Sequence, residues 1–249
     1  MQYFFASDYS GKAFQIFSDS HLFGLLTVAL FNFFLIYILR RLKSEKINRI
    51  VALSGAFLLI IQELSLSIWR ITCGTWQIAT SLPLHLCGMG IILAAVMLVK
   101  RDEKLYRLLY FWATAGATQA LLQPDIGIYG FPHYRFFQFF LSHGLLLTAV
   151  VYATFILNFR PYFRSIYKAF VMTNIFAIFV GLFNFLFDSN YMFLTHKPET
   201  NSIMDFLGPW PFYLIPLEFL MIFLYTLVYM PFLIRDLRIK VIAERRKSI

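Results

Sequence analysis

Charge is scarce in this chain. Only 14% of its 249 residues are Asp, Glu, Lys or Arg, against about a quarter in ordinary soluble domains. So little polarity cannot cover the surface of a water-soluble domain of this length. Cysteine is scarcer: Cys73 and Cys87 are too few for a disulfide framework. No low-complexity segment, convincing internal repeat or appended soluble domain is visible. The stretch from Met1 to Ser20 lacks a basic n-region and a small-residue cleavage site, so no cleavable signal peptide is expected.

What is abundant is apolar and aromatic: 59% of the residues are hydrophobic and 30 are Phe. They come in blocks, and about 18 or more consecutive apolar residues are long enough to cross a bilayer. The pattern predicts an all-α, polytopic membrane protein forming a single transmembrane domain. Seven spans are expected at 20–39, 49–70, 83–99, 105–123, 136–157, 165–187 and 209–234, followed by a basic tail at 235–249.

The charges set an orientation. The connectors 40–49, 100–107 and 158–168 and the tail hold eighteen of the 22 Lys and Arg residues. Lys12, Arg70, Arg135 and Lys197 fall on the other side. The positive-inside rule then puts the N-terminus outside and the C-terminus in the cytoplasm. An odd number of spans demands the same. The net charge of +9 is thus a topological signal, and nucleic acid is not an expected partner.

The run from Ser81 to Gly90 is the most unusual. Proline is tolerated in the first turn of a helix, so Pro83 predicts a helix start with His85 and Cys87 inside it. Gly88 and Gly90 would admit another backbone closely. With orientation assigned, Glu63, His85, Cys87, Gln119, Gln123, Gln138, His143, Asn184 and Glu218 all fall in the outer half of their spans, roughly 5–15 Å deep at about 1.5 Å per residue. Asn32 and Asn174 do not join them clearly. Ionisable residues within spans are costly and mark sites or pathways, so a polar cavity opening outward is expected.

Each residue also has a structural reading. A buried Cys is usually a small hydrophobe, and it becomes a nucleophile only with a base nearby. His143, at matching depth between Ser142 and Gly144, is the candidate base. His85, about 200° around a helix from Cys87, is expected to face away and serve the rim. Glu63 and Glu218 read either as acid/base or orienting groups, or as protonated helix-to-helix hydrogen-bonding groups. Arg70 holds a lipid phosphate or snorkels to the interface. No close-spaced pair resembles a zinc site, so no metal and no cofactor is expected. A Cys73–Cys87 disulfide is disfavoured by depth.

Leu84-His85-Leu86-Cys87-Gly88, Ser142-His143-Gly144, the Asn184 to Asn190-Tyr191-Met192 segment and the Lys197-Pro198…Ser202…Asp205…Leu207-Gly208-Pro209-Trp210-Pro211 block together resemble the YwaF-like bacterial integral membrane proteins, whose eukaryotic relative is transmembrane protein 164. The resemblance spans nearly the whole chain. It implies a bacterial plasma-membrane protein. It also implies a cysteine-dependent acyltransferase or acyl hydrolase acting on membrane phospholipids, with Cys87 as nucleophile and His143 as histidine. Glu63 or Asn184 would orient groups or stabilise the oxyanion. The alternative is a small-solute transporter or ligand-binding protein using the same cavity. Lipid class, acyl acceptor and oligomeric state are left open.

Overall fold

A computed structural model describes residues 3–198 and 203–247; Ser202 of the motif block lies outside them. Regular structure among the described residues is helical throughout. α1 is Asp19–Leu42, α2 Glu45–Thr72, the short α3 Ile78–Ser81, α4 Leu86–Lys100 and α5 Glu103–Phe111. A π-helical segment, Trp112–Ala117, joins α5 to α6, Thr118–Leu122. α7 is Tyr134–Phe155, α8 Phe163–Phe187 and α9 Leu214–Lys247. The boundaries follow local chemistry. Ser18 and Ser44 cap α1 and α2 by accepting from His21 and Ile47 N–H groups, and Asp102 caps α5 through Lys104 and Leu105. Left-handed residues Lys43, Arg101 and Asp188 end α1, α4 and α8.

Five helices, α1, α2, α7, α8 and α9, are long and apolar enough to cross a membrane. They turn large apolar side chains outward, among them Phe23 and Phe33 on α1, Phe185 on α8 and Phe219 and Phe223 on α9. Such a surface suits hydrocarbon rather than water, and the chain is a multi-pass membrane protein. α7 is the most enclosed of the five and packs against α1, α2, α4 and the π segment. Close approach of α1 to α7 depends on two glycines. A Cβ at Gly24 would meet the Phe140 ring at 2.7 Å, and one at Gly144 would meet Val28 at 3.0 Å. Small residues at such crossings let backbones approach where no hydrophobic force drives helices together.

The third apolar run departs from its expected start. Leu82 and His85 are extended, with ψ of 151° and 152°, and α4 begins only at Leu86. The residue before a proline avoids the helical region, and the lead-in is pinned by Tyr191, whose hydroxyl accepts from Leu82 N–H at 2.8 Å and donates to Ile78 O at 2.7 Å. α4 is therefore only 15 residues long. The last run departs too. Pro209 to Phe212 form a turn before α9, and α9 carries on through the basic tail to Lys247.

The bundle has two chemically distinct ends. At one, Arg101 pairs with Glu45, Arg49 donates to Leu98 O and Val99 O, Arg107 stacks on Tyr162, and Arg160 bonds Asp236 at 2.6 Å. The four basic segments thus meet at a single end. At the other, the N-terminal stretch is strapped across α2 and α7. Trp69 donates to Phe5 O, Tyr129 to Ser7 O and His133 Nε2 to Ala6 O. His133 also caps α7, its Nδ1 accepting from Arg135 N–H. Burial pushes its imidazole below the ordinary range, and the cap needs that neutral ring.

Candidate functional site

A cavity of about 630 Å³ opens at the end away from the basic connectors. α2 contributes Glu63 and Arg70, the α3–α4 lead-in Pro83 and His85, α4 Cys87 and Ile91, and α7 Arg135, Gln138 and His143. The α8–α9 wall is largely apolar: Ala177, Leu214, Leu217, Met221 and Leu224. Below its floor at Ile91, Phe111, Thr173 and Tyr225 the bundle is packed by buried Ala94, Leu98, Leu109, Leu146, Ala153 and Ala169. Among the described residues the cavity is closed toward the basic end.

Cys87 sits in the first turn of α4 because Gly88 follows it. A Cβ on Gly88 would lie 2.9 Å from the Pro83 Cα, so only glycine lets the lead-in fold back on the helix start. The sulfur faces the π segment. A Cβ built on Gly116 would stand 4.0 Å from Cys87 Sγ, so the bare glycine leaves space in front of the thiol. π-helical turns widen a helix locally and recur at functional sites. Here the turn sets Gly116 against Cys87 and aims Trp112 at Thr173, whose Oγ1 accepts the indole N–H at 2.8 Å and lies 3.1 Å from the Tyr225 hydroxyl. Both cysteines are free.

His143 is held in one tautomer. Its Nδ1 lies 3.0 Å from the Phe139 carbonyl oxygen, an acceptor only, so Nδ1 carries the proton and Nε2 keeps its lone pair. The ring stacks on Phe139 with centroids 4.1 Å apart. His85 has the opposite arrangement. Its Nδ1 accepts from Met192 N–H at 3.2 Å, so the neutral ring carries its proton on Nε2. Tyr191 and Phe193 pack on its ring. Among the described residues no hydrogen bond joins Cys87 to His143, and no three His, Cys, Asp or Glu residues are grouped to hold a metal.

The remaining polar groups divide into two clusters. Near the mouth, Gln138 donates to Gln62 at 2.9 Å and accepts from Arg135, while Arg70 donates to Thr80 O at 3.0 Å. Glu63 lies within the electrostatic reach of both guanidiniums, yet none of the three forms an ion pair among the described residues. Deeper, Glu218 accepts from Asn174 at 3.0 Å across the α8–α9 wall.

Of the residues singled out from sequence, Cys87, His143, Glu63, His85, Gln119, Gln123, Gln138, Glu218 and Arg70 all line this one cavity. Asn184 does not. Its amide is consumed by the following loop, donating to Tyr191 O and accepting from Ser189 Oγ and Tyr191 N–H, which makes it a loop organiser rather than an oxyanion group. The geometry assigned to His85 also changes. It precedes α4 instead of lying within it, so the 200° separation from Cys87 does not apply. Arg135 and Gly116 are not singled out from sequence, and Asn174, set apart from the polar cluster there, lines the cavity as well. Arg135 counts only as an outer charge in sequence, and Gly116 is hidden in the small-residue run Ala113 to Ala117, itself a signal for close helix packing.

A multi-pass helical bundle with a one-ended cavity, lined by a cysteine, two histidines and a few charges, defines a membrane-embedded site rather than a soluble one. The chain belongs to the TMEM164 family, which it matches over residues 16–229. No curated protein and no solved structure matches it.

Proposed function

We propose that this protein is a lipid acyltransferase or acyl hydrolase of the cell membrane, using Cys87 as nucleophile and His143 as base. The observation that carries the reading is the His143 tautomer: Nδ1–H is committed to Phe139 O, so the free Nε2 lone pair is available in the cavity that Cys87 lines. A side chain fixed through its other nitrogen is how a general base is oriented. The gap between the two groups would close on substrate, since such contacts are often long without it.

In this scheme an ester-linked acyl chain lies along the apolar α8–α9 wall, with a headgroup phosphate near Arg70 and Arg135. Nε2 takes the thiol proton as sulfur attacks the ester carbonyl carbon, whose π electrons move to oxygen. Collapse of that intermediate breaks the ester C–O bond, and the imidazolium returns its proton to the departing alcohol. An acceptor hydroxyl, or water, then attacks the thioester by the same steps and regenerates the thiol.

The reading includes seven spans, with α4 and the α5–α6 rod as the two beyond the five long ones, N-terminus outside and C-terminus cytoplasmic. The meeting of all four basic segments at one end supports it. Reporters fused at the C-terminus and within 100–107 should read cytoplasmic, and one in 188–207 external. An external signal from 100–107 would reverse the orientation.

The direct test of the chemistry is covalent. Purified protein incubated with mixed phospholipids should gain an acyl mass on Cys87 that neutral hydroxylamine removes, and Cys73→Ala should behave like the parent. Normal lipid turnover by Cys87→Ala would remove the cysteine from the mechanism, and a parent protein with neither adduct nor turnover would favour a binding or transport role.

A further inference from the structure

The scheme above places a negative charge on the former carbonyl oxygen but names nothing to receive it. Hydrogen bonds aimed at that oxygen commonly provide the largest stabilisation in acyl transfer. The three carboxylates that line the cavity, Glu63, Asp125 and Glu218, would repel it, and the Gln62–Gln138–Arg135 chain is engaged with itself near the mouth. Asn184, the amide expected in this role, is tied to its loop.

His85 has the required chemistry. Its Nδ1 receives the Met192 N–H, which leaves the neutral ring with a donor at Nε2. That Nε2–H has no hydrogen-bond partner among the described residues, although its ring lines the cavity. The ring immediately precedes the helical turn that holds the thiol, because α4 starts at Leu86. The two histidines of the cavity are thus locked in complementary states, one offering a lone pair and the other a proton. Met192 is held at a left-handed φ of 59°. A non-glycine residue adopts that conformation only when its surroundings impose it, and here it directs the Met192 N–H at the imidazole. Cys87 also lies in the first turn of α4, where backbone N–H groups lack intrahelical acceptors, so its own N–H is a second donor beside the sulfur.

We infer that His85 is the oxyanion donor of this site, its Nε2–H hydrogen-bonding the ester oxygen as Cys87 adds to the carbonyl. The inference rests on the acyl-transfer reading and deepens it: a histidine two residues before the nucleophile becomes a catalytic residue distinct from the base. The Met192 N–H is then its orienting partner, and the loop that supplies it is part of the site.

Two reactions of one thiol separate this role from a structural one. Acylation by p-nitrophenyl butyrate passes through an oxyanion; alkylation by iodoacetamide does not. Both are measured on the full chain in a Cys73→Ala background, so that Cys87 is the only thiol. His85→Phe keeps an aromatic ring between Tyr191 and Phe193 but has no donor. It should slow acylation about 10²-fold, the scale of losing one oxyanion donor, while alkylation stays within about threefold of the parent. His85→Gln, whose amide N–H falls near the Nε2 position, should recover at least tenfold of the loss. Equal slowing of both reactions, or of neither, would overturn the assignment. A fatty trifluoromethyl ketone gives a readout that needs no substitution. Its adduct on Cys87 carries the oxyanion, and the His85 Nε2–H proton resonance should move downfield in the parent protein. An unmoved resonance also overturns it. A parent protein that is alkylated but never acylated would instead remove the acyl-transfer reading, and the inference with it.

Discussion

His143→Ala should slow formation of the Cys87 acyl adduct by about 10²–10⁴-fold, the usual range for losing a general base. The same change should slow alkylation of the thiol, because His143 acts on the sulfur before any carbonyl is involved. Removing the ring also takes away its stacking on Phe139, so folding must be followed alongside activity. His143→Asn is the second variant. Its short amide can still reach the Phe139 carbonyl but offers no basic nitrogen. Stopped acylation with an unchanged melting temperature in His143→Asn would assign the loss to proton transfer. Undiminished acylation in either variant would dismiss His143 as the base.

Gly116→Leu should cost about 10²-fold or more in acylation, because a misplacement of about 1 Å at a reacting centre can have that effect. The space in front of Cys87 exists only because Gly116 has no side chain. An alanine Cβ there would stand in ordinary contact with Sγ, at 4.0 Å, and Gly116→Ala should therefore fold and retain most activity. A leucine would extend into the volume that the tetrahedral carbon must occupy. The pair of variants forms a graded series in size at one position. Acylation indifferent to that size would show that the ester approaches Cys87 from another side.

The all-helical, multi-pass character and the gathering of Cys87, His143 and most of the other polar residues around one cavity are legible because each depends on short-range rules. Apolar run length, charge bias and depth along a span are all read from single helices. What was not legible depends on rotation and on loops. Arg135 reads as an interfacial charge because the sequence does not say how α7 is rotated, and it is that rotation which sets Arg135 in the cavity lining. Asn184 and Tyr191 are seven residues apart, and no periodicity predicts that the loop folds back to occupy the Asn184 amide. The π segment hides for a similar reason, since one extra residue per turn leaves no mark in composition. The start of α4 was misplaced because Pro83 fits a first helical turn as well as the extended lead-in it occupies. Tertiary contacts from Tyr191 and Gly88 decide between the two.

The packed floor beneath Ile91 and Tyr225 bears on the membrane as well as on the protein. Under the proposed acyl transfer, a lipid that enters a chamber with such a floor would leave through the side it came from. Acyl exchange there would remodel the chains of one leaflet and leave the other as synthesised, without carrying a headgroup across. The two faces of the bilayer would then drift apart in chain composition, and lipid flipping by other proteins would set how long that asymmetry lasts.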